Sequence, residues 1–308
     1  MIDTIKKWIE EADTIVIHRH KDPDYDALGS QWGLKYLIQD NYPEKNVYVL
    51  GKNNQFKALP PMDEVDDSIF SHALGIVVDV SQKHRVDDDR VLNTPKKIVI
   101  DHHQNSSDFA DLFYHQPDKI AAAEVITLMA LEWGFTFSTR SAHALMLGII
   151  SDSGRFLYKG VNASTFEAAS HLMKTGLDLN EIYESMYTDS LNYKRLRGYA
   201  LSQFEVLDSG VAVLRNEKTI KKDYDVSEFT VSRGLVNVMS QLKGVEIWVN
   251  FTETDAGEIL TELRSRELPV NDVASKYGGG GHLLAAGCTL ASWDACDQLI
   301  KDLERKLT

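Results

Sequence analysis

Short apolar runs rich in β-branched residues alternate with amphipathic stretches over roughly the first 185 residues. "TIVIH" (14–18), "NVYVLG" (46–51), "LGIVVDV" (74–80) and "KIVIDHH" (97–103) are each bounded by polar turns and read as buried strands. Between and after them, "GSQWGLKYLIQDN" (29–41) and "IAAAEVITLMALEWG" (120–134) carry helical spacing. At the start, Ile2, Ile5 and Ile9 mark an amphipathic helix rather than a signal peptide. Strands alternating with helices predict an α/β domain with a mostly parallel, buried sheet, and such sheets bind ligands beyond the carboxyl ends of their strands. "SAHALMLGIISDSGRFLY" (141–158) reads as a buried run, helix or strand, that stops at Ser151-Asp152-Ser153-Gly154.

The pattern then changes. Residues 189–207 turn polar and helical, which suggests a connector between a first domain over 1–188 and a smaller α/β domain over 208–308. In the latter, strands are expected at 210–216, 245–253 and 258–265, the last two joined by the hairpin-like "TDAG", with helices over 226–243, 270–277 and 292–306. A length of 308 residues fits two domains. No apolar run approaches the roughly 18 residues of a membrane span. Cys288 and Cys296 make neither a disulfide framework nor a CxxC metal site, so a cytoplasmic location is expected. A net charge of −13 argues against long duplex nucleic acid, which needs a broad basic face, but leaves room for a small anion in one pocket.

Charge is crowded at the strand ends. "HRHKDPDYD" sets His18, His20, Asp22, Asp24 and Asp26 within nine residues. Asp79 closes the third run, Asp101, His102 and His103 close the fourth, and Asp152 ends the buried run. Any one of these is more often a cap or a satisfied polar group. Together they put hard and borderline ligands at four separate segment ends, which suits two divalent first-row cations, Mn²⁺ most naturally, and so metal-assisted attack on a phosphoester. "YGGGGH" (277–282) lacks the spacing of a nucleotide loop, but glycine amides can approach a phosphate, with Arg264 and His282 as further donors. Arg155 and Arg233 are each as readily surface residues as phosphate ligands. Tyr158 and Tyr187 suit core packing or subunit contact better than base stacking.

"HKDPDYDALGS", "VVD", "DHHQN" and "GIISDSGRF", followed by "TELRS" and "YGGGGHLLAAG", resemble in order and spacing the motifs of the DHH phosphoesterase superfamily and its C-terminal associated domain. The chain is similar in length to the oligoribonuclease and pAp phosphatase branch (pAp is 3′-phosphoadenosine 5′-phosphate). The resemblance implies an active site in a cleft between the domains. It implies one cation on His20, Asp24 and Asp79 and a second on Asp26, Asp79, His102 and Asp152. His103 would face the substrate phosphate, and Asp101 would orient the imidazoles. Arg264, Ser265, Gly279, Gly280, Gly281 and His282 would hold the substrate. The implied reaction is hydrolysis of short single-stranded oligoribonucleotides, two to five nucleotides long, and of pAp to AMP, by water activated between two cations, with no membrane partner and a homodimer allowed. Hydrolysis of cyclic or linear dinucleotides is the alternative; inorganic pyrophosphate hydrolysis and a catalytically dead nucleotide sensor fit less well. Asp22 and His18 have no place in the implied ligand set and read as a solvated turn residue and a packing residue.

Overall fold

The computed structural model describes residues 1–53, 56, 58–104 and 106–307. Asn105 of the "DHHQN" motif lies outside the described residues. The chain divides into two compact units, Met1–Thr188 and Asp189–Thr308. Among the described residues, no helix is long and apolar enough to cross a membrane.

The first unit runs α1 (Ile2–Glu11), β1 (Thr14–His18), α2 (Tyr25–Asn41), β2 (Asn46–Val49), β3 (Leu74–Val78), β4 (Lys96–Asp101), β5 (Leu112–His115), α3 (Ala122–Glu132), α4 (Thr139–Asp152), α5 (Ala163–Met173) and α6 (Leu179–Tyr187). Its five strands are all parallel, in the order β2-β1-β3-β4-β5. Alternate strand residues serve two cores. Ile15, Ile17, Ile76, Val78, Ile98 and Ile100 join the large cluster that contains Leu28, Leu145 and Ile149 from α2 and α4. Val16, Val77 and Val99 face smaller clusters on the other side. Because the chain leaves β1 toward β2 on one side and returns to β3 on the other, a crevice opens between the carboxyl ends of β1 and β3. The buried run at 141–158 is a helix as far as Asp152, and β5, four half-buried residues with a short Leu112-Phe113-Tyr114 run, escaped the sequence reading.

Helices α2 and α4 cross at glycines. A Cβ at Gly29 would collide with the Ala144 carbonyl and stand 2.9 Å from the Gly148 nitrogen; one at Gly148 would stand 2.6 Å from Asp26 Oδ1 and 2.7 Å from the Ala123 Cβ. The close crossing brings the ends that carry Asp26 and Asp152 together.

The second unit contains α7 (Leu191–Gln203), β6 (Glu205–Val206), β7 (Val211–Asn216), α8 (Ile220–Asp223), β8 (Ile247–Glu253), β9 (Ile259–Ser265), α9 (Asn271–Lys276), β10 (Gly280–His282), β11 (Ala285–Leu290) and α10 (Trp293–Glu304). Its sheet order is β10-β11-β9-β8-β7-β6. The stretch expected as a connector carries α7, whose Leu196 and Ala200 are fully buried with Ala212 and Leu214. The helix expected over 226–243 is present as a shorter helical run over 228–239, whose middle is a π-helical turn, Thr230–Gly234, and whose end is a 3₁₀ turn, Val236–Met239. A buried side chain explains the change: Asn250 Nδ2 donates to the carbonyls of Val231 (2.8 Å) and Ser232 (2.6 Å), drawing them away from a regular α ladder. The glycine run also departs from expectation. Gly280–His282 forms an edge strand paired antiparallel with Ala285–Gly287, and Gly279 lies so close to the Gly287 carbonyl that no Cβ fits.

Gly148→Ala is expected to overpack the α2–α4 crossing by about 1–3 kcal/mol. Thermal denaturation of the variant should show a midpoint several degrees lower, together with impaired activity as Asp152 moves from Asp26. A midpoint within a degree of wild type would mean that the crossing has slack.

Candidate metal centre and anion pocket

His20 and Asp24 follow β1, Asp79 follows β3, His102 and His103 follow β4, and Asp152 ends α4. Strand ends thus deliver ligands to the crevice between β1 and β3, and helix ends deliver Asp24, Asp26 and Asp152. Three sets have donor atoms within 4.8 Å of one another: His20, Asp24 and Asp79; Asp26, His102 and Asp152; and Asp79, His102 and His103. Asp79 and His102 each belong to two of them. His20 Nε2 is 3.3 Å from Asp79 Oδ2 and 3.8 Å from Asp24 Oδ1. His102 Nε2 is 3.4 Å from Asp79 Oδ1, 3.7 Å from Asp152 Oδ2 and 3.8 Å from Asp26 Oδ2.

The surroundings fix the orientation of each group. Nδ1 of His20 donates to the Lys21 carbonyl (2.6 Å) and Nδ1 of His102 to the Lys119 carbonyl (3.1 Å), so each Nε2 faces the carboxylates. His103 differs: its Nδ1 bonds Asp101 Oδ1 at 2.9 Å, which occupies the nitrogen nearest Asp79 and leaves Nε2 as its outward atom. Asp24 caps α2 through Oδ1, accepting from the Asp26 and Ala27 amides. Asp26 is fully buried and accepts from the Ala122 and Ala123 amides and the Ser30 hydroxyl. Asp79 sits at φ +59°, a left-handed turn that swings its carboxylate out of the strand.

The electrostatics are those of carboxylates and imidazoles held close together. Burial opposes charge on His20, but Asp24 and Asp79 outweigh it and hold its pKa at about 10. His102 is raised in the same sense, against burial, by Asp79 and Asp26. Asp26 and Asp152 are pushed up, by burial first and by neighbouring carboxylates next. Asp101 stays low despite burial, because His103 bonds it. Asp79 Oδ1 and His102 Nε2 are buried without a hydrogen-bond partner among the described residues. Convergent carboxylates, correctly turned imidazoles and orphaned ligand atoms fit divalent cations.

Asp22 is exposed at φ +50°, a turn residue outside the cluster. His18 is fully buried, with neither ring nitrogen hydrogen-bonded among the described residues, and burial lowers it to about 4. The sequence reading overlooked two residues that brace the site. Arg19, fully buried, donates to the His20 carbonyl (2.9 Å), Asp87 Oδ2 (2.7 Å) and the Lys52 carbonyl (2.6 Å), tying three loops together. His115 Nε2 bonds the His103 carbonyl at 2.6 Å. Arg19 could have been noticed as a charge ending an apolar run; nothing in the spacing pointed to His115.

In the second unit, Arg264, Gly279, Gly280, Gly281 and His282 line a cavity of about 950 Å³. Ser265 is not among its lining residues: it is buried, and its hydroxyl accepts from the Leu268 amide. Glu262, which the sequence reading did not single out, stands between two arginines, 3.1 Å from Arg233 Nε and 3.1 Å from Arg264 Nη1. The guanidinium expected for an anion is therefore already held in place by a carboxylate.

Comparison with known proteins agrees with this architecture. Residues 14–149 match the DHH family N-terminal domain, and residues 215–308 match the DHHA1 domain. The chain is 37% identical over 307 residues to a probable bifunctional oligoribonuclease and PAP phosphatase NrnA of Streptococcus mutans, covering 99% of this chain and 98% of that protein. It is 33% identical to the bifunctional oligoribonuclease and PAP phosphatase NrnA of Bacillus subtilis, covering 97% and 96%. A crystal structure of an exopolyphosphatase-related protein from Bacteroides fragilis superposes with a TM-score of 0.88 at 28% identity, over 99% of this chain and 97% of that one.

The raised groups predict how the metal-free chain responds to pH. His20 and His102 bind protons more tightly folded than unfolded, as do Asp26 and Asp152. The folded state then carries more protons than the unfolded one, so stability falls as pH rises. The carboxylates contribute this fall from about pH 4 upward, and the imidazoles from about 6.5 toward about 10. In chelator, the melting temperature should be lower at pH 9 than at pH 6.5. With saturating divalent cation the trend should reverse, because the metal binds the deprotonated ligands. A chelated chain whose melting temperature rises over that window would contradict the cluster's electrostatics.

Proposed function

The chain belongs to the DHH family, with a DHHA1 domain following, and is a phosphoesterase; from this we propose that it hydrolyses short oligoribonucleotides to mononucleotides and pAp to AMP with two divalent cations, Mn²⁺ foremost. The observation that carries the reading is the interlocking of the ligand sets through Asp79 and His102. The substrate class is supported by full-length relatives named for those two activities and by the glycine-lined cavity.

His20, Asp24 and Asp79 would hold one cation, and Asp26, Asp79, His102 and Asp152 the other. When bound, such ions acidify water and offset the charge that develops on phosphoryl oxygens. The protein's own groups supply the rest. Asp101 fixes the ring of His103 through Nδ1 and raises its affinity for the proton, so Nε2–H can donate to a phosphoryl oxygen. His115 restrains the backbone that carries that imidazole, and Arg19 restrains the backbone of His20. In the second unit, Arg264 and His282 would receive a phosphate away from the reacting bond, against the bare backbone of Gly279, Gly280 and Gly281; the Gly279 amide itself is committed to the Ala274 carbonyl at 3.0 Å. Holding one end in this way favours short chains over long ones, and the acidic surface repels polyanions.

Asp79→Ala should abolish hydrolysis of pAp and of a dinucleotide, because both cations lose a ligand, whereas Asp22→Ala should stay within a few-fold of wild type. Chelation should stop the wild-type reaction, and Mn²⁺ should restore it better than Mg²⁺. An active Asp79 variant, or full activity in chelator, would remove the two-cation account.

The clamp has a separate test. A charge-assisted hydrogen bond to phosphate contributes roughly 1.5–3 kcal/mol, so Arg264→Ala and His282→Ala should each lose about ten- to a hundredfold in kcat/KM on pAp while binding Mn²⁺ normally. Bis-p-nitrophenyl phosphate, which has no second phosphate, should be spared most of that loss. Equal losses on both substrates would assign the second unit a different task.

A further inference from the structure

Directly after Asp152 the backbone takes a path that L residues seldom take. Gly154, Arg155 and Phe156 have φ of +54°, +63° and +65°, three left-handed residues in succession, two of them bearing side chains. The turn is held from below. Ser153 is fully buried; its carbonyl accepts from the Leu157 (2.9 Å) and Tyr158 (3.0 Å) amides, and its hydroxyl accepts from the Phe156 amide at 2.9 Å. The Phe156 ring stacks on Phe166, with centroids 5.4 Å apart and planes 20° apart.

This framework displays aromatic and cationic groups beside the ligand cluster. Tyr158 lies over Gly154, where a Cβ would strike its ring, and yet it is 60% exposed. Arg155 places its guanidinium carbon 5.1 Å from the centre of the Tyr187 ring. Tyr187 also stands beside Tyr183, with ring centroids 5.8 Å apart, and burial raises its hydroxyl while Arg155 opposes. The turn begins directly after Asp152, so the patch adjoins the cluster there. Of the two uses expected from sequence, core packing and subunit contact, core packing does not describe a ring as exposed as that of Tyr158.

We propose that Tyr158, Tyr187 and Arg155 form a stacking platform for a nucleobase of the substrate whose phosphate lies at the ligand cluster. The proposal rests on the phosphoesterase reading above. An aromatic face accepts any base, because every base has a π surface, and a guanidinium over a ring adds a cation to the stack. The strained turn then has a purpose: it presents Tyr158 at a fixed place three residues past Arg155, where a relaxed helix end would not.

The test compares pAp with ribose 3′,5′-bisphosphate, which has both phosphates and no base, in wild type, Tyr158→Phe, Tyr158→Ala and Tyr187→Ala. Wild type and Tyr158→Phe should prefer pAp by roughly tenfold or more in kcat/KM, the order of one base–aromatic stack. Each alanine variant should lose roughly tenfold of that preference while holding Mn²⁺ as wild type does. Quenching of 2-aminopurine ribonucleoside monophosphate, which mimics a product and is not hydrolysed, should weaken in the same two variants. A wild type that cleaves neither bisphosphate would sink the substrate reading itself. One that cleaves both equally, or alanine variants with an unchanged preference, would sink only the platform. If the preference stays unchanged while sedimentation shows that Tyr158→Ala splits a dimer, the patch is a subunit contact and the platform is wrong.

Discussion

Asp26 is the residue on which the first unit turns. Its carboxylate is fully buried, and its two oxygens accept from the first two amides of α3 and from Ser30 on its own helix. Helix α3 has no capping side chain at Ala121, so a residue nearly a hundred positions earlier does that work. Gly148 of α4 leaves just the room that Asp26 needs. The positive end of α3 offsets part of the cost of burying the charge, and the same carboxylate faces His102. Helix packing and chemistry are therefore set by one side chain. Moving it disturbs both.

That arrangement explains what could be read from the sequence. The apolar runs that became β1, β3 and the inner part of β4 were legible because both their faces are buried, which leaves a continuous hydrophobic signal, whereas β2 buries Val47 and Val49 on one face only and showed as an alternation. The six residues expected as cation ligands do converge in space, because strand ends in a parallel sheet share one rim. Other features depend on contacts between distant segments, which no local pattern records. Asn250 reshapes the segment 230–239, though the sequence there has ordinary helical spacing. Glu262 looks like a surface position of a strand and becomes informative only once Arg233 and Arg264 are seen on either side. Ser265 was swept in with its neighbours, but one position along a strand reverses the face.

The two units handle charge in opposite ways. In the first, Asp24, Asp26, Asp79 and Asp152 are gathered with only imidazoles to oppose them, an arrangement that gains from cations. In the second, arginines are gathered around one carboxylate, so Glu262 lowers the net positive charge and orders the guanidinium groups before any anion arrives. A chain with a net charge of −13 can thus gather carboxylates and imidazoles in one unit and arginines in the other.

The edge strand β10 has a further consequence for motion. It is held by three register pairs to β11, and two of its three residues are glycines with no side chain to pack. Its outer margin pairs with no other strand in the sheet. Such a segment can detach and re-form many times within the lifetime of the folded domain, because little apolar surface is uncovered when it does. One wall of the glycine-lined cavity is therefore a separate exchange unit, which can fray without the rest of the sheet giving way.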